Sequence, residues 1–344
     1  MSYWKNRRVI VTGGAGFLGS HLVDALRLLD CKPFVPRSEQ YDLTTVDGVC
    51  AMFGDAMTLW GEQGCETLFH LAATCGGIGL NRKQPATMWR DNLLMGSNLL
   101  DAAHFFDVSK FVGVGTVCSY PKHCPTPFSE RSFWDGYPEE TNAPYGLAKK
   151  MLLVGLQAYG AQFGLPWVYV VPTNLYGPRD HFDPESSHVI PAMIRKFLEA
   201  KRAGDHVVSL WGTGKPTRDF LYVGDCVRAL LSAGELLVSG PYNVGSGREV
   251  SIVDLAHVVA KAVNYQGDVS FDASMPDGQP RRVLDSSKFA KLTGWQPEVS
   301  LEEGLDRIVK WYDMVQRLED DERDMTTSCI AKGQRAPAGA SPSV

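Results

Sequence analysis

Tyr145 and Lys149 stand four residues apart in a stretch with helical spacing of apolar residues, so one turn of helix brings both side chains to one face. An ammonium beside a phenol favours phenolate, and such a pair could move a proton to or from a substrate oxygen. The spacing alone is common. It gains meaning from Thr116-Val117-Cys118, which puts a hydroxyl and a thiol where an apolar run ends, and from Gly13, Gly16 and Gly19 between an apolar run and an amphipathic one. Gly13 suits a tight turn, Gly16 lets the main chain approach a pyrophosphate, and Gly19 lets a helix pack close on a strand. The helix start then offers free N–H groups to an anion. Cysteine or histidine can remove a proton α to a ketone, and a 4-ketone on a sugar activates both C3 and C5. Cys118, with His188 arriving from later in the chain, could serve both carbons. The plainer fate of Cys118 is that of a small buried hydrophobe.

The elements that must position these groups alternate between strand and helix. Residues 9–12 read as the first strand, 32–36 as a second, 67–73 as a third, 110–115 as a fourth and 167–171 as a fifth, with helices at 46–60, 85–106 and 142–163 between them. A parallel sheet of such units binds its ligand at the carboxyl ends of its strands. Arg37 stands about twenty residues beyond the glycines, where a dinucleotide's ribose is read, and suits the 2′-phosphate of NADP(H). A solvated arginine is the bland alternative. His70 lies among apolar residues inside a strand and reads as a core histidine; Cys75 and Cys124 read as structural. Beyond residue 180 the pattern loosens, with a helix at 192–203, a glycine-rich, hairpin-like stretch at 211–220, Asp225 as N-cap of a helix to Leu237, a helix opened by Ser251 and a last one at 301–318. The expected fold is α/β, a Rossmann-type doubly wound parallel sheet with a smaller C-terminal α/β lobe. Residues 1–180, with 221–250 returning, would bind the cofactor. Residues 181–220 and 251–318 would form the substrate lobe, and 319–344, charged and then rich in Ala, Pro, Ser and Gly, a disordered tail.

The chain has 344 residues, and a net charge of −5 argues against a nucleic-acid partner. No run approaches the length of a membrane span, and the basic N-terminal residues lack a signal core, so a cytoplasmic location is expected. Eight cysteines without Cys-x-x-Cys spacing suggest neither disulfides nor a metal site.

Thr12-Gly13-Gly14-Ala15-Gly16-Phe17-Leu18-Gly19, with Thr116 and Tyr145-Gly146-Leu147-Ala148-Lys149, resembles the extended short-chain dehydrogenase/reductase family, over nearly the whole chain before the tail. The likeness is greatest to its branch that epimerises C3 and C5 of GDP-4-keto-6-deoxy-D-mannose and reduces the 4-ketone. It is carried by His70-Leu71-Ala72-Ala73, Gly76-Gly77-Ile78, Cys118 to Lys122, Pro172 to Pro178, Ser187 to Pro191, Trp211 to Phe220, and Met275 to Asp285. The resemblance implies Tyr145 as proton donor, Lys149 on the nicotinamide ribose, Thr116 on the reacting oxygen, and Cys118 and His188 as base and acid of epimerisation. It implies NADP(H) contacts at Gly13, Gly16, Phe17, Leu18, Gly19, Arg37, Ala72, Ala73, Tyr145, Lys149, Pro172, Asn174, Leu175 and His188. Substrate contacts are implied at Asn174, Lys196, Trp211, Arg218 and Asp277, and a homodimer through the helices at 85–106 and 142–163. The branch commonly carries Ser-Ser-Cys where this chain has Thr116-Val117-Cys118, and Thr74-Cys75 before Gly76 is a second departure. A 4,6-dehydratase would place Asp-Glu directly after the position of Thr116, and a simple 4-epimerase would leave Cys118 and His188 without a task. A redox-neutral GDP-sugar 3,5-epimerase, a 4-ketoreductase on a related sugar and a non-catalytic NADP sensor remain alternatives.

Overall fold

A computed structural model describes residues 2–184, 187–235, 239–275 and 277–331. Along the chain run β1 (Val9–Thr12), α1 (Phe17–Leu28), α2 (Val46–Leu59), β2 (Thr67–His70), α3 (Ile78–Lys83), α4 (Pro85–Phe105), β3 (Phe111–Val114), α5 (Ala143–Phe163) and β4 (Trp167–Pro172). There follow β5 (Asn174–Tyr176), α6 (Val189–Ala203), β6 (Val207–Trp211), β7 (Thr217–Tyr222), α7 (Val223–Glu235) and β8 (Pro241–Val244). The chain continues through β9 (Glu249–Ser251), α8 (Ile252–Ala262), β10 (Asp268–Asp272), β11 (Arg281–Arg282), α9 (Ser287–Thr293) and α10 (Leu301–Ala331).

Strands β1, β2, β3, β4 and β8 form one parallel sheet in that order. Every residue of β1, β2, β3 and β4 is buried, as a sheet covered on both faces requires. In β4 the alternation is explicit. Val168 and Val170 join a core with Leu22 and Leu26 of α1 and Leu230 of α7, whereas Tyr169 and Val171 join Met52 and Phe53 of α2, Leu99 of α4 and Leu156 of α5. The expected second strand shrinks to a single parallel bridge between Ile10 and Phe34, because Pro33 and Pro36 carry no N–H to extend a ladder. That bridge lies on the opposite side of β1 from β2. The connection order therefore reverses at β1, and the carboxyl end of β1 is a topological switch point.

A third core gathers α6, α8 and α10 around β6 and β7, with Ile194, Phe197, Leu210, Phe220, Leu255 and Leu305 buried together. Here the sequence reading needs correction. The stretch at 211–220 is no hairpin: β6 pairs with β10 in a two-stranded sheet, while β7 pairs with β5, β9 and β11 in another. Gly212 and Gly214, both left-handed at φ 82° and 72°, turn the chain from one sheet into the next. Asp225 is not an N-cap either. It lies inside α7, where its buried carboxylate accepts the N–H groups of Glu298 and Val299 at 3.1 and 3.0 Å and pairs with Arg228 at 2.9 Å. Leu237 lies outside the described residues. Ser251 does cap α8, accepting the Asp254 N–H at 3.0 Å. The last helix runs on to Ala331, so the segment expected to be disordered from 319 begins as helix; residues 332–344 lie outside the described residues.

Candidate active site

The glycine loop joins β1 to α1 at the switch point. Gly13 is left-handed at φ 69°, and a Cβ there would come within 2.6 Å of the Ala72 nitrogen, so this turn presses against the loop after β2. A Cβ on Gly19 would run into the Gly13 carbonyl. Gly16 differs: the nearest atom to a Cβ would be the Gly13 oxygen at 3.3 Å, which leaves its outer side open. Gly16 is also the N-cap of α1, with no side-chain cap and no acidic residue in the first turn. The helix start is thus free to receive an anion, and the loop fits a dinucleotide pyrophosphate. Phe17 and Leu18 open the helix, and Ala72 and Ala73 follow β2, where the Ala72 N–H meets the Thr12 hydroxyl at 3.4 Å. Arg37 is exposed after the Phe34 bridge, its guanidinium without an ion pair among the described residues.

His70 is a core residue, as its surroundings in the sequence suggest. Burial holds its imidazole well below the usual range, and Nδ1 lies 3.0 Å from the Thr12 hydroxyl.

The second wall of the site is the turn after β3. Thr116 caps a short 3-10 turn, Val117–Ser119, and its hydroxyl oxygen accepts the Cys118 N–H at 3.2 Å. Ser119, fully buried, donates its hydroxyl to the Gly146 carbonyl at 2.8 Å and pins this turn to α5. The approach is so close that a Cβ on Gly146 would stand 2.5 Å from the Cys118 carbonyl oxygen. Only glycine at 146 permits it. On the same helix, burial pushes the Tyr145 phenol well above its ordinary range, with Cys75 and Cys118 adding to the effect. The shift runs opposite to the lowering expected from a neighbouring ammonium, and its largest cause is the desolvation of the phenolate. Burial also brings Lys149 down to about 8. Tyr145 keeps its proton at neutral pH, which suits a donor.

Cys75, which the sequence suggests is structural, lies beside this pair. It is close enough to Tyr145, Lys149, Cys118 and Asp180 for their charges to act on one another, and its thiol is pushed up by the desolvation around it. Asp180 is 6% exposed, with Oδ2 lacking a hydrogen-bond partner among the described residues, and burial raises it to about 7. Neither was readable as part of the site.

Pro172 ends β4 and Asn174 and Leu175 lie in β5; the Asn174 amide donates to the Asp219 carbonyl at 2.9 Å. The lobe supplies the remaining groups. Arg218 on β7 donates to the Thr217 and Gln279 carbonyls at 2.8 and 2.7 Å, and burial, then the nearby Arg282, lowers it to about 10. Asp277 accepts the Thr213 N–H and hydroxyl at 2.6 and 2.7 Å, so it fastens the loop after β6. Lys196 donates to the Ser209 carbonyl at 3.3 Å, and its ammonium sits 5.9 Å from the exposed Trp211 ring. His188 is the N-cap of α6, and burial lowers its imidazole, with His181 contributing. Cys118 is brought to Thr116, Tyr145 and Arg218. No hydrogen bond joins His188 to it among the described residues.

Residues 9–245 match the model of the NAD dependent epimerase/dehydratase family. The chain belongs to this family. Within it, a GDP-L-fucose synthase of Sinorhizobium fredii is 39% identical over 300 residues, 87% of this chain and 93% of that one. A GDP-L-fucose synthase of Escherichia coli is 36% identical, covering 89% and 96%. The crystal structure of a GDP-L-fucose synthetase from Naegleria fowleri bound to NADP superposes with a TM-score of 0.80 at 26% identity, over 92% of this chain and 97% of that one.

Proposed function

We propose that this chain epimerises C3 and C5 of a GDP-4-keto-6-deoxy hexose, GDP-4-keto-6-deoxy-D-mannose, and reduces its 4-ketone with NADPH, as the names of its relatives suggest. The observation that carries this reading is the placement of Cys118 in one turn with Thr116 and against the helix of Tyr145. A thiol there is needed for removal of carbon-bound protons and for nothing in simple ketone reduction. In this reading Cys118 takes the proton at C3 or C5 and the C–H electron pair passes to the C4 oxygen as an enolate, on which Thr116 and Tyr145 donate hydrogen bonds. His188 returns a proton to the opposite face of the carbon. The hydride for C4 comes from NADPH when it is bound, and Tyr145 gives its proton to the oxygen, with Lys149 on the nicotinamide ribose.

The Gly13–Gly16–Gly19 loop, Phe17, Leu18, Ala72, Ala73, Pro172, Asn174 and Leu175 would hold the cofactor, with Arg37 free to meet a 2′-phosphate. Arg218, Lys196, Trp211 and Asp277 would bind the nucleotide diphosphate end. The cofactor half is residues 1–180 with 221–250, supported by the entry of β8 into the five-stranded sheet; the lobe is 181–220 with 251–318, supported by its own core. A homodimer through α4 and α5 is supported by exposed Trp89 and Leu94 on one helix and Met151, Val154 and Phe163 on the other. No helix among the described residues is long and apolar enough to cross a membrane, and a cytoplasmic location, which the free cysteines suit, belongs to the same reading.

Deuterium exchange tests it. In D₂O without NADPH the enzyme is expected to wash deuterium into C3 and C5, and Cys118→Ser, a far weaker acid at that position, to lose most of this exchange. Wild-type exchange by Cys118→Ser would leave a reductase without epimerase activity.

A further inference from the structure

Arg282 is 8% exposed, yet among the described residues no carboxylate pairs with it. Its neighbour Arg281 takes Glu249 instead, at 2.6 Å through both Nε and Nη2. A buried guanidinium without an anion is costly, so its contacts show what it is built to face. Nε and Nη2 donate to one oxygen, Gln279 Oε1, at 3.2 and 3.1 Å. Gln279 is itself 6% exposed, and its amide donates to the Lys122 and Pro121 carbonyls at 2.9 and 3.5 Å. The remaining donor, Nη1, points to Cys118 Sγ at 3.5 Å. The contacts close a ring: Cys118 leads along the chain to Pro121 and Lys122, which hold Gln279, which holds Arg282, which returns to the sulfur. Pairing of β11 with β7 sets Arg282 opposite Arg218, so two guanidiniums stand side by side, and among the described residues Asp277 is the carboxylate that acts on Arg218. Diphosphate can meet the charge of Arg218. Among the described residues, the sulfur is the one potentially anionic group in contact with Arg282.

We propose that Arg282, clamped by Gln279, is the positioning residue for Cys118: it fixes the sulfur's direction and supports the negative charge the sulfur carries after losing its proton. A charge-assisted donor does both, and the thiolate is the form that accepts a carbon-bound proton. When the proton arrives from C3 or C5, the C–H pair moves into the enolate and Arg282 is left beside a neutral thiol; release of that proton to solvent restores the pair. This inference rests on Cys118 serving as the base.

The experiment is alkylation of the full-length enzyme by iodoacetamide, with Cys118 and Cys50 peptides followed separately by mass spectrometry, alongside deuterium exchange at C3 and C5. Arg282→Met is expected to slow Cys118 labelling and exchange together by roughly ten- to a hundredfold, the worth of a charge-assisted hydrogen bond. Labelling of Cys50, exposed on α2, should not move. Arg282→Lys, which keeps the charge, should restore part of both rates. Gln279→Leu, which leaves the guanidinium but frees it, should slow Cys118 by a smaller factor and serves if Arg282→Met does not fold. Wild-type labelling of Cys118 in Arg282→Met or Gln279→Leu would overturn the proposal, as would weakened GDP binding as the sole defect, which makes Arg282 a diphosphate ligand. Slow labelling in Arg282→Met together with undiminished exchange in Cys118→Ser would uphold the pairing and refute Cys118 as the base.

Discussion

The carboxyl edge of the five-stranded sheet and the wall of the lobe meet at Cys118, but they are built differently. At the sheet edge, groups are placed by backbone and shifted by burial: Gly146 lets Cys118 approach α5, Ser119 pins the turn, and desolvation moves Tyr145 and Lys149 away from their charged forms. The lobe wall instead carries Arg218 and Arg282 side by side, steadied by Asp277, Gln279 and main-chain carbonyls. A rigid, desolvated edge suits proton and hydride movement, where a fixed charge in the wrong state is costly. An under-neutralised cationic wall suits an anionic handle that stays unchanged through the reaction. Cys118 belongs to both, held by the edge through its backbone and by the wall through its sulfur.

The largest expected separation between the two comes from Tyr145→Phe. Ketone reduction should fall by roughly a hundred- to ten-thousandfold, the range of general acid catalysis, while NADPH and nucleotide-sugar binding remain and part of the C3 and C5 exchange persists. Loss of binding along with turnover would make the tyrosine structural. Arg218→Met should act on the other side, raising KM for the nucleotide sugar by roughly ten- to a hundredfold with a smaller change in kcat. The KM of the wild type should also rise with salt, because an ionic handle is screened where a buried phenol is not. A kcat defect with unchanged KM would remove Arg218 from the binding wall. Arg37→Asp should reduce the preference for NADPH over NADH by about tenfold or more, measured by fluorescence titration of both cofactors; equal affinities in the wild type would dismiss Arg37 as the 2′-phosphate ligand. The smallest effect is expected from Gly146→Ala. The added methyl would press on the Cys118 carbonyl, cost about 1–3 kcal/mol of stability in thermal unfolding, and depress exchange and reduction together. Exchange lost alone would show that the turn positions Cys118 without positioning Tyr145.

The difference between the regions also explains what could be read from the sequence. Gly13, Gly16 and Gly19, the turn at Thr116, and Tyr145 with Lys149 act over short chain distances, so spacing reveals them. Burial does not show in spacing, so the upward push on the Tyr145 phenol is visible only in the folded chain. The lobe depends on long-range pairing. Asp225 looks like a cap but is captured by amides of Glu298 and Val299, far along the chain. Strands β6 and β7 flank a glycine turn yet belong to different sheets. Arg282 lies in a two-residue strand, too short for any periodicity, and its nearness to Cys118 follows from the pairing of β11 with β7 and the hold of Pro121 and Lys122 on Gln279. Cys75 stands in a loop without periodic pattern, and only the folded chain brings it toward Tyr145.

Product analysis by nuclear magnetic resonance, with GDP-4-keto-6-deoxy-D-mannose and NADPH supplied together, tests most directly whether this one site performs both epimerisation and reduction. The expected result is GDP-L-fucose, inverted at C3 and C5, with one NADPH oxidised per product formed. Epimerised ketone without NADPH consumption, or a reduced sugar that keeps the D-manno configuration at C3 and C5, would contradict it.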